Sequence, residues 1–280
     1  MTLLLAVPNV SEGRDPAKIA RIGEAFASTG ARLLDTHADA DHHRSVFTLA
    51  AGPGELAPAL LAGARAVREE VDLRAERGAH PHVGALDVAP IVHLAPGERG
   101  AACAEALLAA DLLGTDAQLP VFLYGLLAGG RTRAELRSGG LDGLRARGTR
   151  PDFGPPTLDP AAGAVLVAAR PPLIAFNLEL APPATIDDAK RVAARVREGG
   201  PDGLPGVRAI GIELEGGRIA QVSTNVEDHL TVPLARLLAA VEAHAPVARA
   251  ELVGVPPAAA FAGWPDRVAV ANRTTLEERL

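Results

Sequence analysis

Thr2-Leu3-Leu4-Leu5-Ala6-Val7-Pro8, followed by Asp15-Pro16 and then by Ile19, Ile22 and Phe26, is the stretch that decides the fold. The apolar run reads as a strand stopped at Pro8, because proline brings no N–H to a ladder. Asp15 offers a side-chain cap and Pro16 a pre-set first helical residue, so a helix starts there. Ile19, Ile22 and Phe26 share one 3.6-residue face, and Gly30 stands where a left-handed residue closes the helix. Working outward, Ala31 to Asp35 and Arg44 to Ala50 read as strands joined by a polar loop crowded with Asp and His. Glu55 to Val71 carries Leu56, Leu60, Val67 and Val71 on one helical face, and Leu86 to His93 returns as a strand. The order is β-α-β-β-α-β.

The second half spells the same order. Leu173 to Glu179 is strand-like, and Thr185 caps a helix through Arg197 with Ala189, Val192 and Val196 inward. Val207 to Leu214 and Arg218 to Ser223 read as a hairpin around Glu215-Gly216-Gly217. Leu234, Leu237, Leu238 and Val241 mark a further helix, and Ala250 to Val255 a further strand. Two copies of this split pattern predict an α/β (α+β) fold of two ferredoxin-like subdomains, their mixed β-sheets facing each other and their helices outside. The boundary falls at Arg170-Pro171-Pro172, giving subdomains 1–170 and 171–280. The helical segment Gly97 to Leu113 and the strand Val121 to Tyr124 are additions to the first.

Composition narrows the functions. At 280 residues the chain is one large domain or two small ones. Its 48% hydrophobic and 22% charged residues describe a chain that folds, and 29 glycines with 23 prolines predict many tight turns. A net charge of -6 argues against binding nucleic acid, whose phosphates are held by surplus Lys and Arg. The lone Cys103 admits neither an internal disulfide nor a thiolate metal cage, which fits a reducing compartment and predicts a cytoplasmic protein. No apolar run reaches the roughly 18 residues that cross a bilayer, so no membrane association is expected. The first residues lack a basic flank and read as a strand rather than a signal peptide.

Five of the eight histidines lie in two short segments: His37, His42 and His43 between two strands, and His80 and His82 before another. Histidine takes and gives a proton near neutral pH, and loops at strand ends carry function. Pro81 restricts the residue before it to extended geometry, so Ala79-His80-Pro81 projects His80 in a fixed direction. With Asp35, Asp39 and Asp41 these histidines invite a metal reading. Against it, the adjacent His42 and His43 cannot both face one ion from a strand, and no helical His-x-x-x-His pair exists, so no metal is expected. Gly52-Pro53-Gly54 and Gly129-Gly130 lack the setting of a phosphate cradle. Ser11 sits in no nucleophile elbow, and Asp152-Phe153-Gly154 has no kinase-type partner. What remains is a set of constrained loops offering amides, hydroxyls and backbone donors, suited to a flat hydrogen-bonding ligand.

Those loops carry a resemblance. Val7-Pro8-Asn9-Val10-Ser11-Glu12-Gly13-Arg14, His80-Pro81-His82-Val83-Gly84-Ala85-Leu86-Asp87, Pro151-Asp152-Phe153-Gly154-Pro155, Leu173-Ile174-Ala175-Phe176-Asn177 and Gln221-Val222-Ser223-Thr224-Asn225 resemble, in order and spacing, the formiminotransferase domain of glutamate formiminotransferases, from residue 3 to about 257. The resemblance implies transfer of a formimino group from N-formimino-L-glutamate to N5 of tetrahydrofolate, late in histidine breakdown, in a groove between two facing sheets. It implies His80 as the catalytic histidine and Gly154-Pro155-Pro156-Thr157-Leu158-Asp159-Pro160-Ala161-Ala162-Gly163 as the folate-contacting loop. Animal relatives fuse this domain to a cyclodeaminase, and a chain of this length looks like the stand-alone transferase. The family's His-Pro-Arg is His80-Pro81-His82 here. An acid that relatives can carry aligns with His37, leaving Asp35, Asp39 or Asp41 to supply the negative charge, with Asp39 the candidate. His43 stands where Asn before Arg44 is common.

The chemistry explains the histidine. N5 attacks the amidine carbon, the attacking nitrogen must lose a proton, and the glutamate nitrogen must gain one before it leaves. One base that becomes an acid does both, for roughly 10² to 10⁴ in rate. A carboxylate orients that imidazole and stabilises its cation, and Arg44 holds a substrate carboxylate. Asn9, Ser11, Glu12, His82 and Asn225 are the expected substrate contacts. Tetrahydrofolate is then the acceptor substrate and formiminoglutamate the small-molecule donor, and a homodimer is the default assembly. The competing readings are a His/Asp metal hydrolase and a non-catalytic folate- or small-ligand-binding module of the same fold.

Overall fold

Pro8 interrupts the first strand without ending it. β1 (Leu4–Ala6) and β2 (Asn9–Val10) lie end to end between the same two neighbours. Leu5 pairs with Ala50 on one side and Val92 on the other, and Asn9 with Val46 and Val88. The Pro8 carbonyl still accepts the Phe47 N–H at 3.0 Å, and the Val7 N–H reaches the Pro90 carbonyl at 3.1 Å. Only the donor that proline lacks is lost, so the strand resumes where the sequence predicts a loop. The computed structural model describes residues 2–75, 82–214 and 217–280.

Helix α1 (Pro16–Ala27) begins as predicted. The Asp15 carboxylate accepts the Ala17 and Lys18 N–H groups at 2.9 and 3.2 Å, and Ile19, Ile22 and Phe26 are buried. β3 (Arg32–Asp39), β4 (Arg44–Ala51), α2 (Leu56–Glu70) and β5 (Leu86–His93) complete the first β-α-β-β-α-β. β3 runs four residues past the predicted end at Asp35, because Thr36 to Asp39 continue the antiparallel ladder with Phe47 to Arg44. His37 and Asp39 therefore stand on a strand and not in a loop. After α3 (Arg99–Thr115) and β6 (Val121–Leu123) come α4 (Arg133–Arg137), α5 (Gly140–Ala146) and β7 (Val165–Arg170).

The sheet runs β3, β4, the split β1/β2, β5, β7, β6, antiparallel up to β5 and parallel beyond it. One face carries the core. Ile22 and Phe26, Leu60 and Val67, and Ala106 and Leu113 from α1, α2 and α3 meet Phe47, Leu49, Ile91, Val165 and Val167. The Phe26 and Phe47 rings sit 5.2 Å apart. Truncating either to Ala would cost about 3–5 kcal/mol in lost burial and cavity. The alternate residues Val88, Phe122, Tyr124, Leu166 and Ala168 form a second layer on the other face, covered by Leu136 of α4 and Leu144 of α5. β7 is apolar toward both layers, as a parallel strand between two coverings must be.

The chain divides into two compact units, Met1–Pro171 and Pro172–Leu280. The second contains β8 (Ile174–Leu180), α6 (Ile186–Val196), β9 (Val207–Leu214), β10 (Ile219–Val226), α7 (Leu234–Glu242), β11 (Val247–Val253), β12 (Val270–Ala271) and α8 (Leu276–Arg279). Its sheet order is β12-β11-β8-β10-β9, antiparallel except where β12 joins β11. Thr185 caps α6 by accepting from Asp188 N, with Asp188 bonding back. Phe176, Phe261 and Trp264 meet edge to face, the Phe176 and Trp264 centroids 5.2 Å apart, and tie the segment after β11 to the sheet. The strand face turned away from α6 and α7 carries the polar residues Asn177, Glu179, Gln221, Ser223, Asn225 and Glu251 beside Ala175, Ile210 and Ile212. Among the described residues, no helix is long and apolar enough to cross a membrane.

Candidate active site

The turn joining β3 to β4 is built around Asp39. Its Oδ1 accepts the Asp41 and His42 N–H groups at 2.9 Å each, and its Oδ2 meets His42 Nδ1 at 2.5 Å. Burial opposes its charge. The His42 side chain and the two amides outweigh that, and hold the carboxyl down at about 2, below its ordinary 3.8. Asp39 is therefore ionised at any physiological pH. Arg44 stands directly across the ladder from it. A bulge at Leu34 sets the phase of β3, so that Asp35, His37 and Asp39 share a face with Thr48, Val46 and Arg44, opposite the Phe47 and Leu49 core.

The end of β2 and the loop from Ser11 to Asp15 pack against this turn. The Glu12 carboxylate, 6% exposed, accepts the Arg14 and Asp15 N–H groups at 2.8 and 3.1 Å, with His43 Nδ1 3.5 Å away. His43 Nδ1 accepts the Gly13 N–H at 2.9 Å, and the residue holds φ 50°, a left-handed conformation that suits Asn. The Ser11 hydroxyl donates to the Gly84 carbonyl at 2.9 Å while its N–H reaches Ala85, and Asn9 Nδ2 donates to the Val7 carbonyl at 3.0 Å. Three of the expected substrate contacts thus also shape the strand end and loop that carry them. Asn225 lies in the second unit, on the polar face of β10, where it pairs with Ala175 and Arg208. His80 falls outside the described residues.

The loop from Gly154 to Gly163 is pinned at both ends. Gly154, at φ 79°, and Gly163, at φ 71°, take conformations that side chains avoid, and a Cβ at either would stand 2.2 Å from the carbonyl of Leu119 or Val83. Asp159 turns the far end by accepting Ala161 N–H on its side chain and Gly163 N–H on its carbonyl, each at 2.8 Å. Leu158 leans on the second apolar layer, and its carbonyl accepts from Arg145 of α5 at 3.2 Å. Ala161 and Ala162 hand their carbonyls to the Leu73 and Ala85 amides at 3.0 and 2.9 Å. Pro155, Pro156, Thr157 and Pro160 occupy the stretch between these ties.

Two groups were not singled out by the sequence. Asp87 is the extra residue of a bulge: Val10 pairs with Leu86 and Asn9 with Val88, leaving Asp87 between them. Its Oδ1 accepts the Val83 N–H at 2.8 Å and its Oδ2 meets Nη2 of Arg137, which arrives from α4. This pair fixes the strand end that follows His82. Thr132 and Glu135 cap α4 reciprocally. Their spacing, Thr132-Arg133-Ala134-Glu135, was the signal that could have revealed the helix. Among the described residues, no group of three or more His, Cys, Asp or Glu side chains gathers as a metal site.

Comparison with known proteins assigns the class. Residues 3–170 match the N-terminal subdomain of the formiminotransferase domain, and residues 175–264 match the formiminotransferase domain. The chain belongs to the formiminotransferase family. It is 33% identical over 276 residues to the glutamate formimidoyltransferase of Thermoplasma acidophilum, covering 92% of this chain and 89% of that one. To the enzyme of the same name from Streptococcus pyogenes it is 32% identical over 268 residues, 91% and 89% of the two chains. To the formimidoyltransferase-cyclodeaminase of Gallus gallus it is 36% identical over 277 residues, 91% of this chain and 50% of that protein. The chain spans about half the length of such two-function relatives.

Proposed function

We propose that this chain moves the formimino group of N-formimino-L-glutamate to N5 of tetrahydrofolate, releasing L-glutamate, as a step of histidine degradation. The observation that carries the reading is the match of both formiminotransferase subdomains along one chain, with relatives named glutamate formimidoyltransferase aligned over 89% of their length. N5 attacks the amidine carbon and forms a C–N bond. His80 takes the proton that the attacking nitrogen sheds and returns it to the glutamate nitrogen, whose bond to the carbon then breaks. Asp39, ionised throughout, supplies the negative charge that favours an imidazolium nearby. Arg44 pairs with a donor carboxylate.

The loop from Gly154 to Gly163 contacts the folate. Being tied at both ends, it presents a set shape and loses little freedom on binding. Asn9, Ser11, Glu12, His82 and Asn225 contact the substrates, and holding two small molecules together supplies much of the remaining acceleration. The protein works without a metal, in the cytoplasm, as a homodimer. A lone cysteine supports the compartment, and the prevalence of two-fold pairs supports the assembly. Incubation with tetrahydrofolate and formiminoglutamate, followed by acid, should generate the absorbance of the cyclised folate product. A flat trace with active folate and donor would overturn the reading.

A further inference from the structure

We propose that His43 is a positioning residue: its Nδ1 holds the loop from Ser11 to Asp15 in the shape that receives the donor, and protonating that nitrogen releases the loop. This rests on the formiminotransferase reading, which puts Ser11 and Glu12 at the substrate, and it adds a residue that the reading leaves out. The Gly13 N–H donates to His43 Nδ1 at 2.9 Å, and the His43 side chain is 12% exposed. Gly13 lies so close on the turn that a Cβ there would stand 2.2 Å from the Asp39 carbonyl oxygen and 2.5 Å from the Arg44 nitrogen. Arg14 Nε donates to the Ala40 carbonyl at 3.0 Å. The turn that carries Asp39 and Arg44 therefore also fixes the loop that carries Ser11 and Glu12. Of the side chains making these ties, His43 is the one whose accepting atom can take up a proton near neutral pH.

An imidazole nitrogen accepts a hydrogen bond only while it carries no proton. With Nδ1 facing the Gly13 N–H, the neutral ring keeps its proton on Nε2. Acid places a second proton on Nδ1, and two donors then face each other where one bond stood. The surrounding charges decide where the cation turns. Glu12 Oε1 lies 3.5 Å from Nδ1 and attracts it, but that oxygen already accepts the Arg14 and Asp15 N–H groups at 2.8 and 3.1 Å. Lys18, from α1, is 3.8 Å from the other Glu12 oxygen and tempers the pull. Arg14 and Asp15 belong to the loop itself. Asp39, His42 and Arg44 belong to the turn, where His42 and two amides hold the Asp39 charge. The charged imidazole thus competes for the carboxylate that shapes the loop while it drops the Gly13 amide. The pinned loop belongs to the neutral ring, so it is favoured at about pH 8 and weakened toward about pH 5, the span over which imidazoles change charge.

The test uses the full chain as wild type, His43→Gly and His43→Asn, with donor KM and kcat measured at about pH 8 and about pH 5.5. Both substitutions accept the left-handed backbone at φ 50°. Glycine removes the acceptor, and the asparagine carboxamide keeps one that does not titrate. At the higher pH, His43→Gly should raise the donor KM about twofold to tenfold, the scale of one hydrogen bond, with kcat nearly unchanged. His43→Asn should recover part of that loss. His80 and the substrates are common to all three proteins, so ratios to the wild type at each pH isolate residue 43. At the lower pH the wild type should lose its advantage: the KM ratio for His43→Gly falls toward one, and that for His43→Asn falls below one. A merely structural histidine leaves both ratios the same at the two pH values. That result, or a donor KM unmoved in His43→Gly at the higher pH, overturns the proposal. Should His43→Gly fail to fold, the His43→Asn ratio carries the same test. Nuclear magnetic resonance of the Gly13 amide separates this proposal from the reaction itself. A signal that moves between the two pH values in the wild type and stays fixed in His43→Asn sustains the positioning role even if no transfer is seen. An amide that stays fixed in the wild type removes it even where transfer is active.

Discussion

Asp39 and His42 are joined through Oδ2 and Nδ1 at 2.5 Å across the turn that delivers Arg44 to the sheet. The pair works in one pH direction. Asp39 falls from an ordinary 3.8 to about 2 in the folded chain, so its contribution is complete above pH 4 or so and fades as the pH drops toward 2. With the side chain 18% exposed, that contribution is about 1–2 kcal/mol after allowing for solvent screening. Urea unfolding of Asp39→Asn should therefore show a deficit near neutrality that closes in acid. A deficit that stays constant down to pH 2 would show that the charge is not its source.

His80→Ala should lose most of the transfer rate, about 10² to 10⁴-fold, while folate binding persists. Single-turnover assays paired with folate titration distinguish the two. Turnover at the wild-type rate would take His80 out of the mechanism.

Gly163→Ala tests the pinned loop. Its φ of 71° and the 2.2 Å approach of the Val83 carbonyl leave no room for a methyl group. The variant should lose about 1–3 kcal/mol of stability and bind folate more weakly. Thermal melts and a folate titration together check this, and an unchanged melting temperature would contradict the packing.

His82→Arg should be tolerated. His82 is only partly buried and lies beside α5, where a side chain at Gly140 would stand 3.3 Å from its carbonyl. Circular dichroism and melting should match the wild type, and collapse of the fold would count against that alignment.

Much of the fold was legible because its cues are local. Asp15-Pro16 announces α1, Thr185 announces α6, and the spacing of Leu234, Leu237, Leu238 and Val241 marks α7. What escaped depends on partners far away in sequence. β7 lacks alternation because layers on both faces bury it, so Val165 to Ala169 reads as a featureless apolar run. α4 and α5 are short and interrupted by glycine, and only the Thr132 and Glu135 spacing speaks for them. In the site, the ladder position of Asp39 opposite Arg44 follows from a hairpin and could be approximated. The bulge that frees Asp87 could not, since it exists only in the register of β5 against β2.

The layer under α4 and α5 also bears on how the first unit opens. The helical-side core gathers many buried side chains from α1, α2, α3 and the sheet, whereas this layer is a small cluster covered by two short helices, Arg133–Arg137 and Gly140–Ala146. Small clusters reopen at low free energy. This layer would then be the first part of the unit to soften on warming. Native-state hydrogen exchange should be quicker over residues 133–146 than over 86–93, and the reverse order would refute it.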